Sequence, residues 1–358
     1  MSTLVIAEAG VNHNGDLQKA FQLVDAASEA GADIVKFQTF TAENLSTAKA
    51  EKANYQKKTT DSSESQFSML KKLELDKDSY FKLQDYCNQK AIKFLSTAFD
   101  FDSLKFLLDD LSLNLLKISS GDLTNAPLVL SHAVSGKDII LSTGMSNLNE
   151  IKTALSVISY GYLNQNLDLK PSIEDFKKAY NSSEGKDLLE EKVTLLHCTT
   201  EYPAPLKDIN LDAINTLKEY FKLKVGYSDH SEGLLVPIAA AAVGATVIEK
   251  HLTLNKNDIG PDHKASIEPD ELKRMISRIR DIEVIKGDGI KEPRESEMGN
   301  IRIARKSIVA RKIIKAGEIF TKDNITLKRP SEGLDPINYW EILGKESIRD
   351  YEIDEVIK

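Results

Sequence analysis

The segment VGYSDHSEG, residues 225–233, begins as an apolar strand and then presents serine, aspartate and histidine where the chain should turn. A second apolar run, TVIEKHL at 246–252, ends in the same way with Glu249, Lys250 and His251. Histidine, glutamate and lysine are not among the usual turn residues, and such groups bind ions and transfer protons. The repeated ending predicts that strand ends in this protein carry chemistry.

Further short apolar runs make eight strand candidates in all, and the other six lie at 4–10, 33–39, 93–99, 115–121, 138–144 and 193–199. Segments with helical spacing of apolar residues lie between them, for example at 16–32 and 79–91. Eight strand–helix units predict an α/β protein with a closed parallel (β/α)8 TIM barrel. An open doubly wound sheet is the alternative, but no glycine-rich dinucleotide turn follows the first strand.

The composition excludes several classes of protein. With 41% hydrophobic and 28% charged residues, the 358-residue chain reads as an ordinary globular protein. A net charge of -8 without a basic stripe argues against nucleic acid. No apolar stretch reaches the length of a membrane span and no leader is evident, which predicts a cytoplasmic protein. The two cysteines, Cys87 and Cys198, are expected to be reduced.

Changes of pattern along the chain predict its domains: a barrel domain over 1–290, a charged linker over 291–302 and a small β-rich domain over 303–358. Two polar excursions interrupt the barrel. The excursion at 41–78 follows the second strand on the face where barrel active sites lie, and is either a lid or a solvated insertion. The excursion at 161–190 enters from the opposite face and is interpreted as decoration.

A barrel brings the carboxyl ends of its strands to one rim, so we expect a crowd of polar side chains there. They are Glu8, Lys36, Thr97, Lys117, Ser120, Ser142, His197, Ser228, Asp229, His230, Lys250 and His251. The lysines and the hydroxyls among them suit a small phosphate or carboxylate. His230 and His251 end neighbouring strands and are candidate ligands of a divalent cation, for which the ligand type alone favours zinc or iron.

Several motifs, in order, resemble the bacterial sialic acid synthase family: IAEAGVNHNGD (6–16), VKFQTF (35–40), FLSTAFD (94–100), KISSGD (117–122), LSTGM (141–145), LLHCTTEYPAP (195–205), GYSDHSEG (226–233), IEKHLTLNKNDIGPDHKASIEPDEL (248–272) and VARKIIKAGEIFTKDNITLKRP (309–330). The resemblance runs from Leu4 almost to the C-terminus. It implies a phosphoenolpyruvate-dependent barrel synthase whose small C-terminal module is an antifreeze-like domain.

The resemblance favours N-acetylneuraminate synthase, which condenses phosphoenolpyruvate with N-acetylmannosamine and releases phosphate by C–O cleavage. The alternative is a legionaminic acid synthase that uses 2,4-diacetamido-2,4,6-trideoxymannose. Within the family the metal is manganese or magnesium, and His230 and His251 match its ligands. Phosphoenolpyruvate is then held by residues that match the family's anion site, namely Lys36, Thr97, Lys117, Ser120, Ser142 and Ser228.

The resemblance also assigns catalytic and sugar-binding roles. Glu8, Lys36 and Asp262 are implied to be catalytic, with Glu8 in proton transfer or water activation, although a plain salt bridge from Glu8 to Lys36 is the alternative. The implied sugar-binding residues are Gln38, Thr200, Tyr202, Asp262 and Arg329. His13 and His263 are expected to be structural. Arg329 is implied to act in the active site of a partner subunit, which makes the expected assembly a domain-swapped homodimer.

Two other classes of function compete with this prediction. A metal-dependent aldolase would use free pyruvate, but the two lysines and the several hydroxyls at the rim favour a substrate with more negative charge. A non-catalytic sugar-binding module, like an isolated antifreeze-like domain, would have no need for a pair of metal-ligating histidines. Release of phosphate on mixing the substrates distinguishes the synthase from both.

Overall fold

A computed structural model describes residues 2–61, 63–165 and 170–358. The chain forms two compact units, Met1–Gly287 and Asp288–Lys358. In the first unit, eight parallel strands close into a barrel in the order of the sequence, with β8 pairing to β1. The strands are β1 (Leu4–Gly10), β2 (Ile34–Thr39), β3 (Lys93–Ala98), β4 (Leu115–Ile118), β5 (Asp138–Ser142), β6 (Val193–Cys198), β7 (Lys224–Asp229) and β8 (Val247–His251).

The predicted (β/α)8 TIM barrel is therefore confirmed. Most of the predicted runs extend past the observed strands at their carboxyl ends, most clearly at 115–121, where β4 stops at Ile118. The reason is local: Ser119 caps the next turn by accepting a hydrogen bond from the backbone N–H of Asp122, so the chain turns away from the ladder there. The residues beyond the strands form the loops that surround the site.

Helices cover the outside of the barrel, since parallel strands need crossovers that shield both faces of the sheet. They are α1 (Leu17–Ala30), α5 (Lys77–Gln89), α6 (Phe101–Lys105), α7 (Ala126–Val134), α8 (Leu148–Leu163), α11 (Ala213–Phe221), α12 (Leu235–Ala242) and α13 (Pro269–Ile285). Among the helices that the structure describes, none is both long and apolar enough to cross a membrane.

The inside of the barrel is layered because alternate residues of a strand face the same side. The lowest layer is apolar and comprises Leu4, Ile6, Ile34, Leu95, Leu115, Ile140, Leu196 and Val247. On β7 the corresponding residue is Gly226, where a Cβ atom would lie 2.5 Å from the carbonyl oxygen of Val247. Above this apolar plug, the next inward-facing residue is polar on every strand except β6, where it is Cys198, so the plug forms the base of the site.

The excursion at 41–78 is folded and carries α2 (Ala42–Leu45), α3 (Asn54–Thr59) and α4 (Gln66–Lys71). Val11, Phe40, Met69 and Leu73 form a buried apolar cluster that joins it to the barrel. The buried ammonium of Lys52 donates to Thr60 Oγ1 at 2.7 Å, and also to the carbonyl of Asp61. Of the two readings left open by the sequence, a purely solvated insertion does not fit this packing.

The excursion at 161–190 includes the end of α8, α9 (Ile173–Asn181) and most of α10 (Ser183–Lys192), and both of the latter helices pack against α8. Residues 166–169 of this excursion lie outside the described residues. Among the residues of this excursion that the structure describes, none lines the cavity described below.

The second unit has its own core, formed mainly by Ile308, Ile314, Ile325, Tyr351 and Ile357. Its two-stranded antiparallel sheet pairs β9 (Ser307–Ala310) with β10 (Ile325–Lys328), and a short helix, α15, spans Tyr339–Ile342. The stretch predicted as a linker over 291–302 is largely helical, since α14 spans Glu295–Ala304. No residue of α14 is buried.

Candidate active site

A cavity of about 380 Å³ lies at the carboxyl ends of the barrel strands, within the size range of small-molecule sites. Its floor is the polar layer above the apolar plug, formed by Glu8, Lys36, Thr97, Lys117, Ser142, Ser228 and Glu249. Residues two positions further along the strands line its walls, among them Gln38, Phe99, Ser119, Thr200, His230 and His251. Strand alternation therefore places these two layers inside the barrel.

Two buried lysines dominate the floor. Lys36 Nζ donates to Thr97 Oγ1 at 3.1 Å, and Lys117 Nζ donates to Ser142 Oγ at 2.7 Å. Lys117 keeps a further N–H bond for an incoming ligand, since an ammonium group has three, whereas the remaining N–H bonds of Lys36 face Glu8 and Glu249. Buried cations with adjacent hydroxyl groups form a binding site for a compact anion, because charge-assisted hydrogen bonds are strong away from water.

Glu249 lies between these lysines, with its carboxylate 3.5 Å from Lys117 Nζ and 3.6 Å from Lys36 Nζ. Ser228 Oγ donates to Glu249 Oε1 at 2.8 Å. Burial alone would raise the pKa of this carboxyl, but the positive charges of Lys117 and Lys36 outweigh it and hold the pKa at about 2. Glu249 is therefore ionised and balances part of the positive charge of the floor.

Glu8 is the second carboxylate of the floor. Its Oε2 lies 2.7 Å from Lys36 Nζ, and its Oε1 accepts a hydrogen bond from Gln38 Nε2 at 3.2 Å. Burial raises the pKa of Glu8 to about 6, against the opposing effect of Lys36. A carboxyl with a pKa near 6 exchanges protons readily near neutral pH, so the salt bridge and a role in proton transfer are compatible.

His230 and His251 face each other, with 5.5 Å between their ring centroids. Nδ1 of His230 lies 2.7 Å from the carbonyl oxygen of Thr199, so it carries the proton and leaves Nε2 with a free lone pair. Burial lowers the pKa of both imidazoles, that of His230 to about 4. Both rings are therefore neutral at pH 7, which is the form that binds metals.

Asp262 lies behind His251 instead of on the cavity surface, with Oδ2 3.9 Å from His251 Nδ1. That nitrogen is buried and has no hydrogen-bond partner among the described residues. Burial, with the negative charge of Glu8, raises the pKa of Asp262 to about 7. The carboxyl therefore faces the imidazole without a hydrogen bond to it, on the side where a second carboxylate commonly orients a histidine that binds a metal.

An aromatic stack closes one side of the cavity. Tyr202 lies between His230, at 4.1 Å between ring centroids, and Tyr55, at 5.0 Å. Tyr55 belongs to α3 of the excursion, which follows β2, whereas Tyr202 belongs to the loop after β6. The excursion thus crosses the mouth of the barrel.

The structure brings most of the predicted site residues together. Gln38, Ser120 and Thr200 line the cavity with the residues already described, and Ser120 Oγ also accepts a hydrogen bond from the backbone N–H of Gly144 at 3.0 Å. His13 and His263 do not line it: His13 Nδ1 accepts from the N–H of Gly15 at 3.0 Å, and His263 Nδ1 lies 2.7 Å from Thr253 Oγ1. Arg329 is in the second unit and is exposed.

Three residues expected at the rim point the other way. His197, Asp229 and Lys250 alternate with inward-facing neighbours, so their side chains leave the barrel interior. Lys250 Nζ donates to Asp229 Oδ2 at 2.7 Å, and both side chains are 0% exposed. Nε2 of His197 lies 2.8 Å from the carbonyl oxygen of Ile209. Their inclusion in the rim was wrong, because nearness to a strand end does not determine the direction of the side chain.

Sequence reasoning missed several cavity residues. Glu249 was quoted as part of a strand ending but received no role, although the alternation that places His251 inside also places Glu249 inside. The other missed residues, all cavity-lining, are Leu45, Tyr55, Gln66, Leu70, Phe99, Ser119, Gly121 and Met145. For the residues of the excursion, no local sequence pattern shows which side chains face the cavity, because this depends on how the excursion folds over the barrel.

Comparison with known proteins agrees with this geometry. Residues 23–291 match the NeuB family, and residues 305–358 match the SAF domain. The chain belongs to the NeuB family. NeuB family members are phosphoenolpyruvate-condensing synthases of the sialic acid type, which confirms the family resemblance seen in the sequence. The SAF domain corresponds to the antifreeze-like module.

Comparison with individual members of the NeuB family gives more specific information than the family match. The chain is 50% identical, over 99% of both chains, to N,N'-diacetyllegionaminic acid synthase of Campylobacter jejuni. It is 43% identical to the Legionella pneumophila enzyme of the same name, over 96% of this chain and 90% of that one. A crystal structure of N-acetylneuraminic acid synthetase from Leptospira borgpetersenii, in complex with citrate, has a TM-score of 0.67 at 33% identity, over 84% and 90% of the two chains.

These identities correct one expectation from the sequence. The assignment as N-acetylneuraminate synthase is wrong. The two N,N'-diacetyllegionaminic acid synthases are 50% and 43% identical to this chain over nearly its whole length, whereas the N-acetylneuraminic acid synthetase is 33% identical. The motifs that carried the resemblance lie largely at strand ends, where the lysines and histidines of this chain line the cavity. They identify the reaction type and do not distinguish the acceptor sugars.

Proposed function

We propose that this protein condenses phosphoenolpyruvate with 2,4-diacetamido-2,4,6-trideoxymannose and water to give N,N'-diacetyllegionaminate and inorganic phosphate. The observation that carries the proposal is one cavity that combines two buried lysines with a pair of neutral histidines. The acceptor follows from the 50% identity to a diacetyllegionaminic acid synthase.

The floor suits the anionic substrate. Phosphoenolpyruvate carries a phosphate and a carboxylate, and Lys36 and Lys117 supply two positive charges to bind them. Thr97, Ser142 and Ser228 add hydroxyl groups within the same layer. With Glu249 and Glu8 both ionised, their charges already balance those of the two lysines, so an added anion makes the floor negative and raises the cost of keeping Glu8 ionised. Substrate binding therefore favours proton uptake by Glu8.

The reaction proceeds in balanced steps. C3 of phosphoenolpyruvate attacks the sugar aldehyde carbon, a carbon–carbon bond forms and the aldehyde oxygen takes a proton. Water then adds to C2, which has become cationic, and loses a proton. The C2–O bond to phosphate breaks and the C2 hydroxyl group passes its proton to the departing phosphate, which leaves the 2-keto acid and inorganic phosphate. Glu8, with a pKa of about 6, is suited to exchange these protons at neutral pH.

We also propose that Nε2 of His230 and Nε2 of His251 hold a divalent ion, manganese or magnesium. Two neutral imidazoles with free lone pairs fit such an ion, and Asp262 would orient the His251 ring. The described residues offer no group of three or more His, Cys, Asp or Glu side chains for a metal, so the other positions are left to water and substrate. When bound, the ion would supply Lewis-acid polarisation of the aldehyde oxygen.

We propose, finally, that Arg329 of the partner subunit completes the sugar site in a domain-swapped homodimer, as the family resemblance implies. The second unit exposes large apolar side chains, including Ile337 at 73%, Trp340 at 71% and Ile348 at 87%. Exposed apolar groups in one small unit are typical of a surface that packs on another protein.

The test of the reaction uses phosphoenolpyruvate with ¹⁸O in the bridging position. With the trideoxy diacetamido sugar and manganese, we expect phosphate release equimolar with product, and the label in phosphate because the C–O bond breaks. Label that stays in the keto acid would show that the P–O bond breaks and would overturn the proposed reaction, whereas turnover of free pyruvate in place of phosphoenolpyruvate would favour the aldolase. Sugar binding without turnover would favour a binding module.

A further inference from the structure

The roof of the cavity differs chemically from its floor. Leu45 and Leu70 come from the excursion and Phe99 comes from the loop after β3, and all three line the cavity. They are partly buried and pack against the apolar cluster of Val11, Phe40, Met69 and Leu73. We call Leu45, Leu70 and Phe99 the apolar roof.

The apolar roof is held in place from several sides. The backbone N–H of Ala42, at the start of α2, donates to Glu74 Oε1 at 2.6 Å. Phe99 meets Phe40 edge to face, with 6.2 Å between ring centroids. The Tyr55–Tyr202 stack attaches the excursion to the far side of the barrel mouth. The roof is thus a preformed surface, which a small ligand can meet without ordering a loop.

The two reacting ends of the substrates belong at the floor. The aldehyde carbon must meet phosphoenolpyruvate, which the lysines bind, so the far end of the sugar extends toward the roof. In 2,4-diacetamido-2,4,6-trideoxymannose that end carries a C6 methyl group and a C4 acetamido group. In N-acetylmannosamine the same positions carry hydroxyl groups, which an apolar surface would leave without hydrogen bonds.

We infer that the apolar roof is the subsite for the C6 methyl group and makes the enzyme selective for 6-deoxy acceptors; this inference rests on the proposed function. A methyl group in an apolar pocket contributes roughly 10- to 200-fold to specificity, and rejection of an added hydroxyl reaches about 100-fold. The fold thus gives the excursion a function in substrate choice.

Gln66 supplies the polar counterpart at the same end. Its Oε1 accepts a hydrogen bond from Ser46 Oγ at 3.1 Å, which fixes the amide. Its Nε2 donates to no other group among residues 2–61, 63–165 and 170–358, although Gln66 lines the cavity. A free N–H donor beside an apolar surface suits an acyl carbonyl, so we assign Gln66 Nε2 to the carbonyl oxygen of the C4 acetamido group.

The experiment measures kcat/KM with three sugars. N-acetylmannosamine and 2-acetamido-2,6-dideoxymannose differ only in the C6 hydroxyl group, and the latter differs from the trideoxy diacetamido sugar only at C4. Leu70→Asn changes the roof at nearly constant side-chain shape, and Leu45→Asn is the second variant. Phe67→Asn is the matched control, because Phe67 lies on the same helix, α4, but does not line the cavity.

We expect the wild type to prefer the 6-deoxy sugar by at least about tenfold, and both roof variants to lose most of that preference. Phe67→Asn should retain it. Gln66→Leu should reduce the preference for the C4 acetamido group and leave the C6 preference intact. Each ratio compares two sugars on the same enzyme molecules, so partial misfolding of a variant does not change it.

The outcomes separate this inference from the proposed function. If the diacetamido sugar releases phosphate but the C6 preference is absent, or survives in both roof variants, the subsite assignment is wrong while the synthase proposal stands. If no sugar releases phosphate with wild-type enzyme, the proposed function fails first. A C6 preference lost equally in Phe67→Asn would also overturn the assignment to the roof.

Discussion

The ring of Tyr55 lies 5.0 Å from the ring of Tyr202 with 30° between the planes, although the two residues belong to loops that follow β2 and β6. This stack joins the excursion to the wall that carries His230, because Tyr202 also stacks on His230 at 4.1 Å. The mouth of the barrel is therefore bridged by side chains that are distant in the sequence.

Removal of the Tyr55 ring should weaken sugar binding. In Tyr55→Ala, Tyr202 loses one of its two stacking partners, and such pairs contribute about 0.5–1.5 kcal/mol beyond burial. We expect the KM for the sugar to rise about tenfold while the KM for phosphoenolpyruvate changes little. Steady-state kinetics with each substrate varied in turn provide the measurement. Tyr55→Phe retains the stack and serves as control; an equal loss in both variants would argue against stacking.

Replacement of Lys117 should impair the anion site selectively. Lys117→Met removes a buried charge whose loss from a paired contact costs roughly 2–5 kcal/mol, so we expect phosphoenolpyruvate affinity to fall at least about 30-fold. Isothermal titration calorimetry with phosphoenolpyruvate alone measures this directly. Lys224→Met is the matched control, since Lys224 begins β7 at the opposite end of the barrel and is exposed. Comparable losses in the two variants would contradict a dedicated anion floor.

Metal binding should depend on the histidine pair and on Asp262. We expect manganese to bind the wild type, to be lost from His230→Ala/His251→Ala, and to bind about 10- to 100-fold more weakly to Asp262→Asn. Calorimetric titration of metal-stripped protein measures the affinity without relying on activity. His197→Gln is the control, because His197 points away from the cavity. Full manganese affinity in the double variant would exclude this pair as ligands.

The activity should fall on the acid side near pH 6. Burial raises the pKa of Glu8 from 4.5 to about 6, so protonation begins at a higher pH than for an ordinary glutamate. If the ionised carboxylate accepts the proton from water, kcat/KM falls as the pH drops below about 6, since kcat/KM reports groups of the free enzyme.

Glu8→Gln tests that assignment. It should lower kcat by about 10²- to 10⁴-fold and remove the acid limb, because glutamine does not titrate. The pH–rate profiles of wild type and variant, measured between pH 5 and 8, provide the comparison. An unchanged acid limb in the variant would show that another group titrates.

The partner-subunit role of Arg329 predicts complementation. His230→Ala and Arg329→Ala chains should each be inactive, and mixed dimers should regain activity, because one barrel then has its histidine pair and an intact arginine from the partner subunit. Co-expression with two different affinity tags isolates the mixed dimers, and phosphate release measures the recovery. Homodimers of each variant, purified in the same way, are the controls. Isolated mixed dimers without activity would disprove the exchange.

The sequence alone determined the barrel and much of its chemistry. Apolar runs of strand length, separated by helical periodicity, leave little choice of fold, because parallel strands need crossovers and eight units close on themselves. Strand ends carrying Lys36, Lys117, His230 and His251 were recognisable for the same reason, since a barrel gathers such ends at one rim.

The tertiary structure alone decided which of these residues meet. Strand alternation, which is readable in the sequence, turns Lys250 and Glu249 to opposite sides of the barrel wall, but only the closed barrel shows that Lys250 meets Asp229 and that Glu249 lies between the two lysines. The positions of Leu45 and Leu70 over the cavity depend on packing against residues distant in the sequence, notably Val11 and Phe99, and that of Tyr55 depends on its stack with Tyr202. The spacing of apolar residues in a short segment shows whether that segment is a helix or a strand. It does not show which distant segments meet around a cavity, because contacts between them leave no regular spacing in the sequence.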